Sequence, residues 1–303
     1  MQRILNNSSE IETTSEPWFL LHYLGINKNL SLSKFSFSAI QKGLSSSLDR
    51  KSYLELLKTH ILDLYDEMSK TKRNREFLYF LDKTPRYYWI LNEIHELFPD
   101  AKYIYLTRNP INVFSSTMTS WGNNTLKNYF YCYEDLNIAY KKISESFKIN
   151  HENNNVLHIK YEDLITDTNK TIKQISKFLL LKYKISSDIK SQIIDGPFGD
   201  NTGIKKYDSI STLPLFSYKK FVNTIFRKWF LMNYLKNFDN DFFKLFDYDR
   251  STILQSLKEL SLKKLIRIDD IYFLIKTKLV LKYKLNLIFG KSYVKDFESS
   301  YFS

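Results

Sequence analysis

LDKTPRYYWILNEIHELFPDAKYIYLTRNPINVFSS, residues 81–116, runs a short apolar stretch into an arginine and then a proline, and that order decides the fold class. Tyr103, Ile104, Tyr105 and Leu106 form the kind of apolar and aromatic run that makes a buried strand. Arg108 follows at its carboxyl end, where open α/β sheets hold their ligands. Asn109-Pro110 then turns the chain, and proline, with φ fixed, fits the first turn of a helix. A helix is therefore predicted over Ile111 to Ser120, with Ser116 about two turns into it. An arginine at a strand end and a serine eight residues later suit a bound phosphate.

Working outward, strand-like and helix-like segments alternate. Gln2 to Leu5 ends a helix and Trp18 to Tyr23 begins another apolar stretch. Tyr53 to Met68 carries Leu54, Leu57, Ile61 and Leu64 at helical spacing. Phe77 to Leu81 reads as a strand, Tyr87 to Leu97 as a helix, and Leu126 to Phe147 as one long helix. Val156 to Ile159 is a strand, followed by a helix from Tyr161 to about Leu181. Such alternation predicts an α/β fold with a parallel sheet covered on both faces by right-handed crossovers. Gly196, Pro197, Gly199 and Gly203 mark a long loop, and the sequence beyond Thr224 looks helical.

The 303 residues, 43% hydrophobic and 16% aromatic, are enough to fill one sizeable core. A single domain over 1–303 is expected, with a core to about residue 185 and a loop and helical part from about 186. Cys132 is the sole cysteine, so no intramolecular disulfide forms, and a reducing, cytoplasmic location is expected. Cys132 lies in an aromatic helix-like run and reads as a small buried hydrophobe. The five histidines show no HExxH or other paired ligand spacing, so no metal is expected. Net charge is +12, from 45 basic and 33 acidic residues; residues 204–303 hold 19 of the former and 10 of the latter, or +9. Such a surface favours anionic partners without choosing among them. Asp269 to Lys291 mixes lysine with leucine and isoleucine. It reads first as a surface helix with snorkelling lysines, and alternatively as a basic amphipathic helix in peripheral contact with a membrane.

TRNP followed by Ser116, DKTPRYY from Asp82 to Tyr88, and KYEDL from Lys160 to Leu164 together resemble the bacterial-type sulfotransferases that use 3'-phosphoadenylyl sulfate (PAPS). The resemblance spans roughly Glu16 to Leu181. It implies a P-loop nucleotide-kinase-like three-layer sandwich, with a central parallel sheet flanked by helices. By that resemblance Arg108 grips the 3'-phosphate in a fork and the Ser116 hydroxyl donates to it. Tyr161 would pack on or bond to the nucleotide, and Lys205, in a late glycine-containing loop, would reach its phosphates. Glu16 matches the catalytic base of the tyrosylprotein branch. Asp82, matching a glutamate of the heparan N-sulfotransferase branch, is the second choice. Lys83 matches the lysine that approaches the bridging oxygen of the phosphosulfate. The Lys58-Thr59-His60 triplet resembles that of the cytosolic branch, but it lies inside a periodic helix and is read as coincidence.

One family element is not found. Seven glycines supply no GxxxxGK or GxGxxG frame, and Gln2-Arg3-Ile4-Leu5 resembles the helix that follows the family's PRSGTT-type loop. The expectation is a chain lacking the first strand and the 5'-phosphosulfate loop, as an N-terminally truncated or inactive form. The resemblance otherwise implies transfer of a sulfuryl group from PAPS, without metal, to a hydroxyl or amine. The acceptor would be a glycan, polysaccharide, lipid or small molecule, with no nucleic acid partner. The alternative is a non-catalytic basic binding protein for anionic glycan or nucleic acid. A nucleotide kinase would need a Walker lysine that no residue supplies.

Overall fold

The computed structural model describes residues 1–25, 37–70, 77–189, 194 and 209–283. In chain order the elements are α1 (Gln2–Leu5), β1 (Ile11–Thr13), α2 (Phe19–Gly25), α3 (Phe37–Ser47), α4 (Arg50–Lys70) and β2 (Tyr79–Leu81). A 3-10 turn over Pro85–Trp89 leads to α5 (Leu91–Leu97), β3 (Tyr103–Thr107) and α6 (Pro110–Ser120). Then come α7 (Ala139–Asn150), β4 (Val156–Lys160), α8 (Tyr161–Thr166), α9 (Thr168–Phe178) and five further helices, of which the last is Ile268–Tyr283. The fold is α/β. β1 and β2 pair in parallel with Ile11 opposite Tyr79 and Thr13 opposite Leu81, and β3 pairs with β4.

Two expected helices differ in detail. The stretch from Leu126 is a 3-10 helix to Cys132, a π-helical turn over Glu134–Ile138 and an α-helix only from Ala139. Buried Asn137 accounts for part of the departure: its amide donates to the Tyr129 hydroxyl at 2.8 Å and to the Tyr133 carbonyl at 3.1 Å. Such a side chain competes with the regular ladder. The helix expected from Tyr161 to Leu181 is interrupted at Asp167, whose side chain caps α9 by accepting from Lys170 N.

Contacts divide the chain into two units. Unit 1 holds Met1–Tyr105, Glu145–Ile159 and Asp163–Ile210; unit 2 holds Leu106–Ser144, Lys160–Glu162 and Ser211–Ser303. Unit 1 has two apolar clusters. One packs Ile4, Leu5 and Ile11 against Ile159, Leu164, Ile172 and Ile175, with Leu81 and Ile104 at its margin. The other packs Leu20, Leu24, Leu57 and Ile61 against Tyr87, Ile90 and Ile94. Burial of one leucine or isoleucine is worth about 1.5–3 kcal/mol, so these clusters hold α1, α2, α4 and α9 in place. Unit 2 is built on aromatics. Phe114 of α6 meets Tyr129, Phe221, Phe230 and Tyr234 with ring centroids 4.8–5.9 Å apart. Cys132 is buried, as a small hydrophobe would be.

Candidate active site

β1 and β2 run side by side in the same direction, so the chain leaves both at the same end. Gln2 of α1 fixes that end by donating to Thr13 Oγ1 at 2.9 Å and to Thr14 O at 2.8 Å, and Thr13 in turn donates to Leu81 O at 2.7 Å. Three residues past β1 stands Glu16; two past β2 stands Lys83. The Lys83 ammonium donates to Glu16 Oε1 at 2.6 Å. Glu16 is the more enclosed partner, its side chain 11% exposed against 37% for Lys83.

The loop carrying Glu16 is held in an uncommon conformation. Trp18 has φ 63, in the left-handed region that a bulky residue enters at a cost of order 1–3 kcal/mol. The DKTP loop supplies what holds it there: Trp18 N donates to Thr84 Oγ1 at 3.4 Å, and the Arg86 guanidinium sits 5.9 Å from the Trp18 ring centre. The strain therefore lies two residues from Glu16, on the strap that orients it.

Asp82 faces a different way from its neighbour. Its Oδ2 accepts from the hydroxyls of Tyr65 at 2.7 Å and Tyr87 at 2.9 Å, and Oδ1 is shut off from solvent. Burial pushes the Asp82 carboxyl up to about 6, while the hydroxyls of Tyr65, Tyr87 and Thr84 and the charge of Lys83 pull in the opposite direction. The folded chain thus keeps a proton that the unfolded chain, titrating near the ordinary 3.8, has released. The stability that this proton contributes is complete below about pH 4 and is lost as pH rises through about 6; it amounts to something on the order of 3 kcal/mol. Asp82→Asn keeps an acceptor for both tyrosines and removes the titration. Melting temperature followed from pH 4 to 6 should lose this component of its slope in the variant. The same slope in both proteins would show that Asp82 is not its source.

Unit 2 carries the phosphate-site candidates. Asn109 caps α6 by accepting from Ile111 N at 3.1 Å, with Pro110 in the first turn, as the NP pair predicts. Arg108 sits over the Tyr161 ring, its guanidinium carbon 4.6 Å from the ring centre, and donates to Pro214 O at 2.7 Å. A longer contact of 3.5 Å reaches Ser217 Oγ. Asn112 fastens the same segment by donating to Leu215 O at 3.0 Å. Ser116 is half-buried in the second turn of α6.

Glu162 is a residue that the sequence reading passed over. It accepts from Asn109 N at 2.9 Å and from the Tyr248 hydroxyl at 2.9 Å, and so braces the turn on which Arg108 stands. Its position after β4 and beside Tyr161 is the signal that would have marked it.

The structure thus brings Glu16 and Lys83 together, turns Asp82 toward tyrosines, and sets Arg108 on Tyr161 near the start of the helix that bears Ser116. Lys205 lies outside the described residues. His60 is on α4, hydrogen-bonded to the Tyr23 hydroxyl at 2.9 Å. Among the described residues, no three His, Cys, Asp or Glu side chains gather as a metal ion would require. Within unit 2, the guanidinium of Arg108 and the hydroxyl of Ser116 are donor types that suit a phosphate.

Comparison with known proteins bears on this chemistry. Nodulation protein NoeE of Sinorhizobium fredii is 26% identical over 122 residues, which are 40% of this chain and 28% of that protein, so the match spans under a third of the relative's length. Two solved structures share low identity and modest structural agreement. The sulfotransferase domain from the curacin biosynthetic pathway is 17% identical, covering 73% of this chain and 90% of that one, with a TM-score of 0.45. The sulfotransferase domain of the Synechococcus PCC 7002 olefin synthase is 16% identical, covering 91% and 88%, with a TM-score of 0.42. Residues 1–184 match the model of the sulfotransferase family, a span that takes in Glu16, Lys83, Arg108, Ser116 and Tyr161, and by that match the chain belongs to this family.

Proposed function

We propose that the protein transfers a sulfuryl group from PAPS to a hydroxyl or amine of a glycan, lipid or small-molecule acceptor. The observation that carries this reading is the Glu16–Lys83 pair at the shared exit of two parallel strands, where one carboxylate and one ammonium meet at 2.6 Å. When bound, PAPS supplies an electrophilic sulfur and a leaving phosphate.

The chain's own groups divide the remaining work. Glu16 accepts the proton that the acceptor O–H or N–H loses as its heavy atom bonds to sulfur. Lys83 would offer its ammonium to the negative charge that grows as the S–O bond to phosphate breaks and adenosine 3',5'-bisphosphate departs. Arg108, backed by the Tyr161 ring, would hold the 3'-phosphate with its guanidinium, and Ser116 would add a hydroxyl donor. Asp82 holds Tyr65 and Tyr87 rather than taking the proton itself, because both hydroxyls already bind its Oδ2.

Calorimetry with adenosine 3',5'-bisphosphate tests this reading. The folded protein should bind it, and Arg108→Ala should weaken binding by about 1.5–3 kcal/mol, the range for a hydrogen bond to a charged group. Absence of binding to folded protein would overturn the proposal. Binding without turnover on any hydroxyl or amine acceptor would leave the non-catalytic alternative standing.

A further inference from the structure

The first turns of the helix Ile268–Tyr283 carry apolar residues on the side away from the core as well as toward it. Its inner side is committed to unit 2: Asp270, Phe273 and Thr277 are buried, at positions i, i+3 and i+7. A helix packed in this way ordinarily turns a polar face to water. This one instead exposes Ile268, Ile271, Tyr272 and Ile275, at i, i+3, i+4 and i+7, with Ile268 85% exposed. Four such residues in register form a continuous stripe, unlike the scattered single hydrophobics of an ordinary surface.

Further exposed apolar residues stand just ahead of the helix in the chain. Ile225 N and Phe226 N donate to the carbonyls of Lys264 and Leu265 at 3.0 and 2.9 Å, bringing exposed Ile225 beside exposed Leu265. Exposed Trp229 follows one turn after Ile225, stacked on Phe226 at 5.7 Å. Lysines stand beside this surface. Lys263 and Lys264 are exposed, Asp269 is paired with Arg267 at 2.9 Å, and Asp270 is sequestered in the core by Arg227.

We infer that this face is a docking surface for an anionic membrane. Isoleucines with a tryptophan and a tyrosine insert to headgroup depth, and lysines beside them meet acidic lipid. A second copy of the chain would set one cationic rim against another, so charge favours lipid over self-association. No helix among the described residues is long and apolar enough to cross a bilayer, which makes this a surface contact. The inference does not depend on the sulfotransferase reading.

The test uses the full chain and vesicles of phosphatidylcholine, with and without phosphatidylserine. Cosedimentation should require phosphatidylserine and weaken as salt is raised. Trp fluorescence should shift to the blue on binding, and Trp229→Phe should remove most of that shift. Ile271→Glu/Ile275→Glu should lower vesicle partitioning by about tenfold or more at an unchanged melting temperature. If that variant melts early, Lys263→Glu/Lys264→Glu serves in its place, with a loss of severalfold expected. Wild-type protein that ignores anionic vesicles would overturn the inference, as would undiminished binding by folded variants. So would a wild-type dimer that the isoleucine substitutions convert to monomer, because the stripe would then be a self-interface.

Discussion

Arg227→Ala is expected to destabilise unit 2 by about 3–5 kcal/mol, the usual consequence of stripping one partner from a buried ion pair. Both side chains of the Arg227–Asp270 pair are completely enclosed. The guanidinium bonds the carboxylate twice, Nε to Oδ2 at 2.8 Å and Nη2 to Oδ1 at 3.0 Å. It also donates to Phe221 O at 3.2 Å and Asn124 O at 3.0 Å, and lies 4.5 Å from the Phe221 ring centre. Removing it strands an anion and two carbonyls in an aromatic interior. Asp270→Ala should cost a similar amount by stranding the cation. Arg227→Met/Asp270→Leu should recover much of the loss, since apolar groups of similar volume often replace such a pair without penalty. Urea unfolding gives the three values, and single-variant losses below about 1 kcal/mol would contradict the assignment.

The second large effect concerns turnover. Glu16→Gln preserves shape and leaves an amide oxygen to accept from Lys83, so the loop from Thr14 to Trp18 should keep its position. The proton acceptor is gone. Release of adenosine 3',5'-bisphosphate from PAPS, measured with the best hydroxyl or amine acceptor, should fall by about 10²–10⁴-fold, the typical share of a general base. Affinity for adenosine 3',5'-bisphosphate by calorimetry should change less than about twofold, because the role proposed for the carboxylate is toward the acceptor and not the nucleotide. Arg108→Ala should show the complementary behaviour, weakening nucleotide binding. A Glu16→Gln enzyme with full turnover would remove Glu16 from the mechanism.

Legibility in the sequence followed the range of the interactions involved. The turn from β3 into α6 could be read because its determinants are local: an apolar run, an arginine, and an Asn-Pro pair whose cap and first turn lie within three residues. β1 was missed, since three residues are too few to display alternation and Glu12, buried within it, looks like a surface residue. The stretch after Leu126 was read as one helix because apolar spacing does not distinguish 3-10, α and π hydrogen bonding. What breaks its regularity is a tertiary set of contacts around Asn137. Glu16, Lys83 and Asp82 were each nominated, yet their grouping was not visible. Tyr65, which takes up Asp82, is 17 residues away on α4, and Glu16 is 67 residues from Lys83.

On the proposed function, the contact between Lys83 and Glu16 has a consequence for how donor and acceptor would be admitted. At 2.6 Å each group is the other's counter-ion, so a donor that claims the ammonium and an acceptor that claims the carboxylate must both displace the same bond. Whichever arrives first does so against that bond, and the second finds its group already released. Donor and acceptor affinities are thereby coupled with positive sign, and the coupling is reciprocal by linkage.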